Sequence, residues 1–226
     1  MRDALESGAK FHFCIVDPSL THRYLDLLDH IERARIPIYS AGRKEFHELS
    51  DTVNSQGLLA LVDQPDTHHA IEESLHHAKL ILFLDRISDP GNLGTIIRTC
   101  DWFGISLLCL SAESADPFSP KVVRSSMGSI FRVPIHEVES MEDFFQKAKS
   151  AGFKMYSAVA HDGISLSEVE KNERSILFFG SEAHGIAQGI LDRSDMRFSI
   201  AGVGHAESLN VAVSVGIALH AWRSPL

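Results

Sequence analysis

The sequence predicts an α/β protein in two parts, a small amino-terminal α/β unit followed by a larger domain built on a parallel sheet. Three observations predict this. From Leu80 onward the apolar runs LILFLD, SLLCLS, FRVPIHEV, KMYSAVA and SILFFG alternate with helical stretches, the pattern of a parallel sheet covered by helices. Before them, a shorter series of strand and helix patterns makes a unit small for an independent domain. The length of 226 residues, with 44% apolar and 23% charged residues, suits a catalytic domain of roughly 150 residues plus an appendage.

In order, FHFCIVD reads as a strand. SLTHRYLDLLDHIERAR reads as a helix with Leu20, Tyr24, Leu27, Leu28 and Ile31 on one face and Ser19 as its N-cap. PIYS and GLLALVD read as strands flanking a short helix in KEFHELSD. QPDTHHAIEESLHHAK carries linker residues at its start, which places the boundary near Thr67 and divides the chain into 1–66 and 67–226. His68, His69, His76 and His77 lack the i, i+4 spacing of metal-binding helices, so a polar helix and no metal site is expected there. The last helix, SLNVAVSVGIALHAW, is apolar nearly all round and is expected to be buried on most faces.

No apolar run approaches the roughly 20 residues of a membrane-spanning helix, and MRDALESGAK has no apolar signal segment, so a cytoplasmic protein with no membrane partner is expected. Cys14, Cys100 and Cys109 are odd in number and far apart, and read as small buried hydrophobes. The net charge of −9 gives no support to nucleic-acid binding, since backbone affinity comes from Lys and Arg neutralising phosphates. A local patch can override that sum: Lys121, Arg124 and Arg132 lie in or end the stretch KVVRSSMGSIFR, which holds no acidic residue.

Three strand-to-loop junctions carry candidate chemistry, because ligands of open α/β sheets bind at the carboxyl ends of strands. In LDRISDPGNLGTIIRTCDWFG, Pro90 and Gly91 suit a tight turn, Gly94 permits close backbone approach, and Arg98 lies further along the new helix. In ILFFGSEAHGI, Gly180 and Gly185 bracket Glu182, an acceptor in a loop suited to wrapping a ligand. In AGVGHAESLNVAVSVGIALH, a glycine-containing loop runs into Ser208-Leu209-Asn210, and a buried amide at Asn210 must find partners. Each has a plain alternative: a surface Arg98 paired with a carboxylate, Glu182 at a capped turn, Ser208 as an N-cap. There is no G-x-G-x-x-G, no G-K-[ST] and no Ser-His-Asp order, which disfavours a dinucleotide oxidoreductase.

Taken together, these segments resemble the three motifs of the SpoU/TrmH family of RNA ribose methyltransferases. DPGNLGTIIRTCDWFG is similar to the first motif, FFGSEAHGI to the second and ESLNVAVSVGIAL to the third, with FSPKVVRSSMGSIFRVP resembling the intervening segment. The resemblance covers most of residues 80–223. It implies 2′-O-methylation of ribose in RNA with S-adenosylmethionine, a trefoil-knotted carboxyl-terminal domain, and a homodimer with the active site at its interface. Position by position it implies that Gly180, Ile200 and Leu209 contact the cofactor, and that Asn92, Arg98, Glu182, Ser208 and Asn210 form the catalytic cluster. A guanidinium stays protonated in proteins, so Arg98 suits orienting the phosphate and ribose hydroxyl better than removing a proton. Ile200-Ala201-Gly202 stands where the family has Ile-Pro-Met, which removes a φ restraint and implies a more mobile loop.

RARIPIYSAGRKEFHELSDTVNSQGLLALVD resembles, more weakly, the ribosomal-protein-like substrate-binding domain that precedes many of these catalytic domains. MRDALESGAK begins late in that pattern, so a shortened domain is expected. Its presence favours ribosomal RNA over transfer RNA as substrate. A transfer-RNA ribose methyltransferase and a catalytically silent RNA-binding or ribosome-assembly factor stay open as alternatives.

Overall fold

The computed structural model describes residues 1–49, 56–67 and 71–223, so His68 and His69 lie outside the described residues. The chain divides into two compact units, Met1–Pro65 and Asp66–Leu226.

The first unit runs α1 (Arg2–Glu6), β1 (Phe11–Val16), α2 (Leu25–Arg33), β2 (Ile38–Ser40), α3 (Arg43–Leu49) and β3 (Leu58–Val62). Central β1 is parallel to β2 and antiparallel to β3. The period of two along β1 turns Cys14 and Val16 inward against Leu28 and Ile31 of α2. Here the expected helix start is corrected. Asp17, not Ser19, is the cap: its carboxylate accepts from the Ser19 amide at 2.9 Å, and Pro18 opens a 3-10 turn over Pro18–Arg23. An Asp-Pro pair favours this turn, since Pro fixes φ and the carboxylate bonds two residues on. The α-helix therefore starts at Leu25, after Leu20 and Tyr24. MRDALESGAK contributes α1, whose Leu5 packs on the same core.

The second unit runs α4 (Ile71–His77), β4 (Leu80–Asp85), α5 (Pro90–Phe103), β5 (Leu107–Ser111), α6 (Pro120–Ser125), β6 (Ile135–Val138), α7 (Met141–Ser150), β7 (Lys154–Ala158), β8 (Ile164–Ser165), β9 (Ser175–Gly180), α8 (Gln188–Leu191), β10 (Met196–Ser199) and α9 (Val211–Arg223). The sheet order is β6-β5-β4-β9-β7-β10-β8, with the neighbouring strands parallel. Every residue of β4 is buried. Leu80, Leu82 and Leu84 face α5 and α9, while Ile81 and Phe83 face α4 and α7, so two cores sandwich the sheet. Full burial of each such side chain contributes about 2 kcal/mol.

FRVPIHEV is a strand only from Ile135, because Ser129–Phe131 forms a 3-10 turn and Pro134 brings no N–H to a ladder. β8 and β10 carry no run of apolar residues and escaped the pattern reading; of β10 only Phe198 is fully buried. The linker is fastened where it enters this unit: Thr67 donates its hydroxyl to Glu137 at 2.9 Å and accepts from the Glu137 amide. Cys100 and Cys109 are buried as expected, and burial pushes both thiols up. α9 departs from its expectation: Val211, Val215, Ala218 and Leu219 are buried, but Val213 and Ile217, four apart, leave one stripe exposed.

The register places the site. Asp85 at the end of β4 pairs with Gly180 at the end of β9, so the loops that follow them start side by side at the carboxyl edge of the sheet.

Candidate active site

Asp89 caps α5, its carboxylate accepting from the Asn92 amide at 2.7 Å. This bond, followed by the charge of Lys121, holds the Asp89 carboxyl below its ordinary range. The cap points the Asn92 side chain out of the first turn, where its Nδ2 donates to Glu182 Oε1 at 2.6 Å. Asn210 Nδ2 donates to Asn92 Oδ1 at 2.9 Å and lies 3.5 Å from Glu182 Oε1. The other end of the same amide caps α9, Oδ1 accepting from the Ala212 amide at 2.9 Å. Residues from all three junctions thus share one hydrogen-bond network. Asn210 is exposed and precedes the helix, which corrects the expectation of a buried amide in its first turn. Ser208 is exposed and has no hydrogen bond among the described residues, so it is not the N-cap.

Glu182 sits in a closed loop. The Gly185 amide donates to the Ser181 carbonyl at 2.8 Å and the His184 amide to Ser181 Oγ at 3.2 Å. A Cβ at position 180 would lie 2.1 Å from the Gly185 carbonyl carbon, so Gly180 is required for this close approach rather than for a left-handed φ. The exit of the loop is tied to the end of β4. Buried Asp85 accepts from the Ala187 amide at 2.8 Å and from Arg86 Nη2 at 3.2 Å, and Arg86 Nη2 lies 3.4 Å from the Gly185 carbonyl. Arg86 has φ 59°, a left-handed conformation that costs a non-glycine residue on the order of 1 kcal/mol. Sequence reasoning missed Asp85 and Arg86, since a charged pair after an apolar strand is ordinary.

Arg98 is exposed on α5 and has no carboxylate partner among the described residues, so the plain surface-pair reading is not what the structure contains. The predicted basic patch is partly engaged. Arg132 donates to Asp101 from Nε at 2.9 Å and Nη2 at 2.7 Å, and Lys121 lies 3.5 Å from Asp89. Arg124 is exposed with no partner among the described residues. The acidic partners come from α5 and its cap, which is why the stretch KVVRSSMGSIFR looked free of them.

Ile200 is half-buried against the core and Leu209 is 46% exposed, at the two ends of a loop whose residues 201–210 are all exposed. No backbone N–H or carbonyl of 201–209 bonds to protein among the described residues, leaving donors and acceptors for a ligand. That supply, between apolar Ile200 and Leu209 on the loop that leads from β10 to Asn210, fits a nucleoside-bearing cofactor. Among the described residues no group of three His, Cys, Asp or Glu could hold a metal ion, and no helix is long and apolar enough to cross a membrane.

A parallel sheet whose carboxyl edge gathers three loops around a polar network is the arrangement of a ligand-binding α/β protein. The sequence profile of the SpoU rRNA Methylase family matches residues 79–220, and that of RNA 2′-O ribose methyltransferase substrate binding matches residues 2–68. The 23S rRNA (guanosine(2553)-2′-O)-methyltransferase RlmP of Bacillus subtilis is 32% identical over 83% of this chain and 73% of its own. An AdoMet-bound rRNA methyltransferase from Sinorhizobium meliloti superposes with a TM-score of 0.86 at 28% identity, over 98% of this chain and 83% of that one. The SpoU methyltransferase AviRb of Streptomyces viridochromogenes, in complex with AdoMet, gives 0.83 at 25%, over 98% and 85%. The chain belongs to the SpoU rRNA methylase family and is an RNA methyltransferase.

Proposed function

We propose that this enzyme methylates a ribose 2′-oxygen of ribosomal RNA in the cytoplasm, using S-adenosylmethionine, as a homodimer with a knotted catalytic domain. The observation that carries the reading is the hydrogen-bonded set Asn92, Glu182 and Asn210 at the start of α5, with Arg98 further along the same helix exposed and without a partner among the described residues. The names of the relatives support RNA as substrate and the cofactor, and the likeness to RlmP, a 23S rRNA methyltransferase, supports ribosomal RNA.

Gly180, Ile200 and Leu209 hold the cofactor against the loops 181–187 and 201–210. Bound there, S-adenosylmethionine supplies an electrophilic methyl group. The chain's own residues position the nucleophile: Arg98 carries a free planar fork suited to an RNA phosphate and the neighbouring hydroxyl. Glu182, with Oε1 held by Asn92, keeps Oε2 to accept a bond from the ligand or the substrate. Asn210 ties the α9 start to Asn92, and Ser208 offers a hydroxyl on the loop before it. In-line methyl transfer depends on such positioning more than on strong acid or base groups. Arg124, with Lys121 and Arg132, extends the positive surface towards RNA.

The dimer rests on α5 and α9. The two helices lie side by side, Gly216 next to Thr99, and expose Trp102 at 84%, Val213 at 51% and Ile217 at 39%. Such apolar exposure on paired helices suits burial against a second copy.

The test is transfer of labelled methyl from S-adenosylmethionine to protein-free ribosomal and transfer RNA, with nuclease mapping of the product. Label at a ribose of ribosomal RNA is expected. Label confined to transfer RNA rejects the substrate, and label on a base rejects the chemistry.

A further inference from the structure

We infer that Arg86 is a positioning residue for methyl transfer: it straps the loop 181–187 shut as a wall of the methyl-donor pocket. The inference rests on the placement of that pocket beside Gly180 and Leu209. Three observations lead to it. First, Arg86 keeps a left-handed backbone, φ 59°, at a position where glycine is unstrained, so the side chain is retained against a conformational cost. Second, its guanidinium spans two elements. Nη2 donates to Asp85 Oδ2 at 3.2 Å and lies 3.4 Å from the Gly185 carbonyl, while the same Asp85 oxygen accepts from the Ala187 amide at 2.8 Å. Third, the strap is itself anchored: the Arg86 amide donates to Ser111 Oγ at 2.8 Å at the end of β5, and the Asp85 side chain is only 6% exposed.

These contacts hold both ends of the loop that carries Glu182. Its entry is fixed by the contact of Gly180 with Gly185, its exit by Asp85 and Arg86. Freed at Gly185, the loop keeps its Ser181–Gly185 turn and its Asp85–Ala187 tie, but the turn is no longer held against the end of β4 and shifts as a unit away from the cofactor. Chemistry itself needs no contact with Arg86, so binding of the methyl donor suffers more than the transfer step. Among the described residues Arg86 Nε is buried without a partner, which leaves the guanidinium held at its far end, where the loop is.

The experiment compares Arg86→Gly, Arg86→Lys and Leu209→Asp in the full chain, measuring S-adenosylmethionine Kd by calorimetry, kcat and the KM for S-adenosylmethionine at saturating RNA, and Tm. Arg86→Gly is expected to weaken cofactor binding about tenfold or more, raising KM further than it lowers kcat. Its Tm is expected to stay within about 3 °C of the parent, because glycine takes this φ without strain. Arg86→Lys, which keeps the charge and a single donor, recovers part of the affinity. An unchanged Kd in Arg86→Gly, with Leu209→Asp impaired, overturns the role of Arg86 alone. Unchanged binding in both variants removes the placement of the pocket on which it rests. A fall in Tm with kcat and KM affected equally also overturns it, since Arg86 is then only a structural residue.

Discussion

Asn92 and Asn210, 118 residues apart in sequence, join side chain to side chain at 2.9 Å, linking the first turn of α5 to the start of α9. The Asn210 amide has two jobs with opposite chemistry: its oxygen caps α9 and its nitrogen donates to Asn92. Substitution can separate them. Asn210→Asp keeps the capping acceptor but removes the donor and sets a carboxylate next to Glu182. It is expected to leave thermal stability close to the parent and to slow methyl transfer on the order of a hundredfold. Asn210→Ala also loses the cap, at about 1 kcal/mol. Single-turnover rates beside melting curves check both, and equal activity of the Asp variant and the parent removes the network from the mechanism.

Arg98→Ala is expected to abolish methyl transfer while leaving S-adenosylmethionine affinity nearly intact. The side chain is exposed on α5, with no protein partner among the described residues to be left behind, so stability is not the route of the loss. Arg98→Lys is expected to recover little, since an ammonium does not reproduce the planar fork. Titration calorimetry with the cofactor and a labelled-methyl assay separate binding from turnover. Substantial turnover in the alanine variant rejects the role.

How far the site was legible in sequence depended on distance along the chain. Glu182 and Asn210 stood out singly as polar residues at strand-to-loop junctions and Asn92 entered through the family resemblance, but only the register Asp85 to Gly180 brings the loops of Asn92 and Glu182 together, and no local pattern carries that register. The apolar strands β4, β5 and β9 were readable because burial on both faces leaves continuous apolar runs. β8, at the edge of the sheet, and β10, next to it, bury too little to leave such a run. The cap of the first-unit turn went to Ser19 because a hydroxyl before an apolar period is a strong start signal. Asp17-Pro18 overrode it by making its own turn first. Arg86 was invisible, because a positive φ is a property of the folded backbone.

Gly94 is where α5 and α6 meet. A Cβ there would sit 1.9 Å from Ser125 Oγ and 2.8 Å from the Val122 carbonyl oxygen, and the second of these is backbone. Gly94→Ala is expected to destabilise by about 2 kcal/mol through overpacking, despite the better helix propensity of alanine. Adding Ser125→Gly relieves the hydroxyl clash but not the carbonyl one, so recovery is expected to be partial. Urea unfolding of the two variants and the parent measures this, and an alanine variant as stable as the parent contradicts the packing.

Asp101 on α5 binds Arg132 at 2.7 Å and accepts the Ser129 hydroxyl at 2.7 Å, fastening the turn after α6 to the helix that carries Arg98. The Arg132 bonds, opposed by partial burial and aided by Ser129, hold its carboxyl below the ordinary carboxylate range. A carboxyl lowered by folding stabilises the native state above its unfolded pKa of about 4 and loses that contribution as pH falls through the lower folded value. With Asp101 26% and Arg132 41% exposed, solvent screening keeps the contribution to about 1 kcal/mol. Asp101→Asn is therefore expected to be less stable than the parent by that amount at pH 7, and the difference is expected to shrink in acid below the unfolded carboxylate pKa. Denaturant titrations of both proteins along this acid limb decide it. A gap that persists undiminished in acid would mean that the asparagine is disfavoured by its shape and not by the loss of a charge.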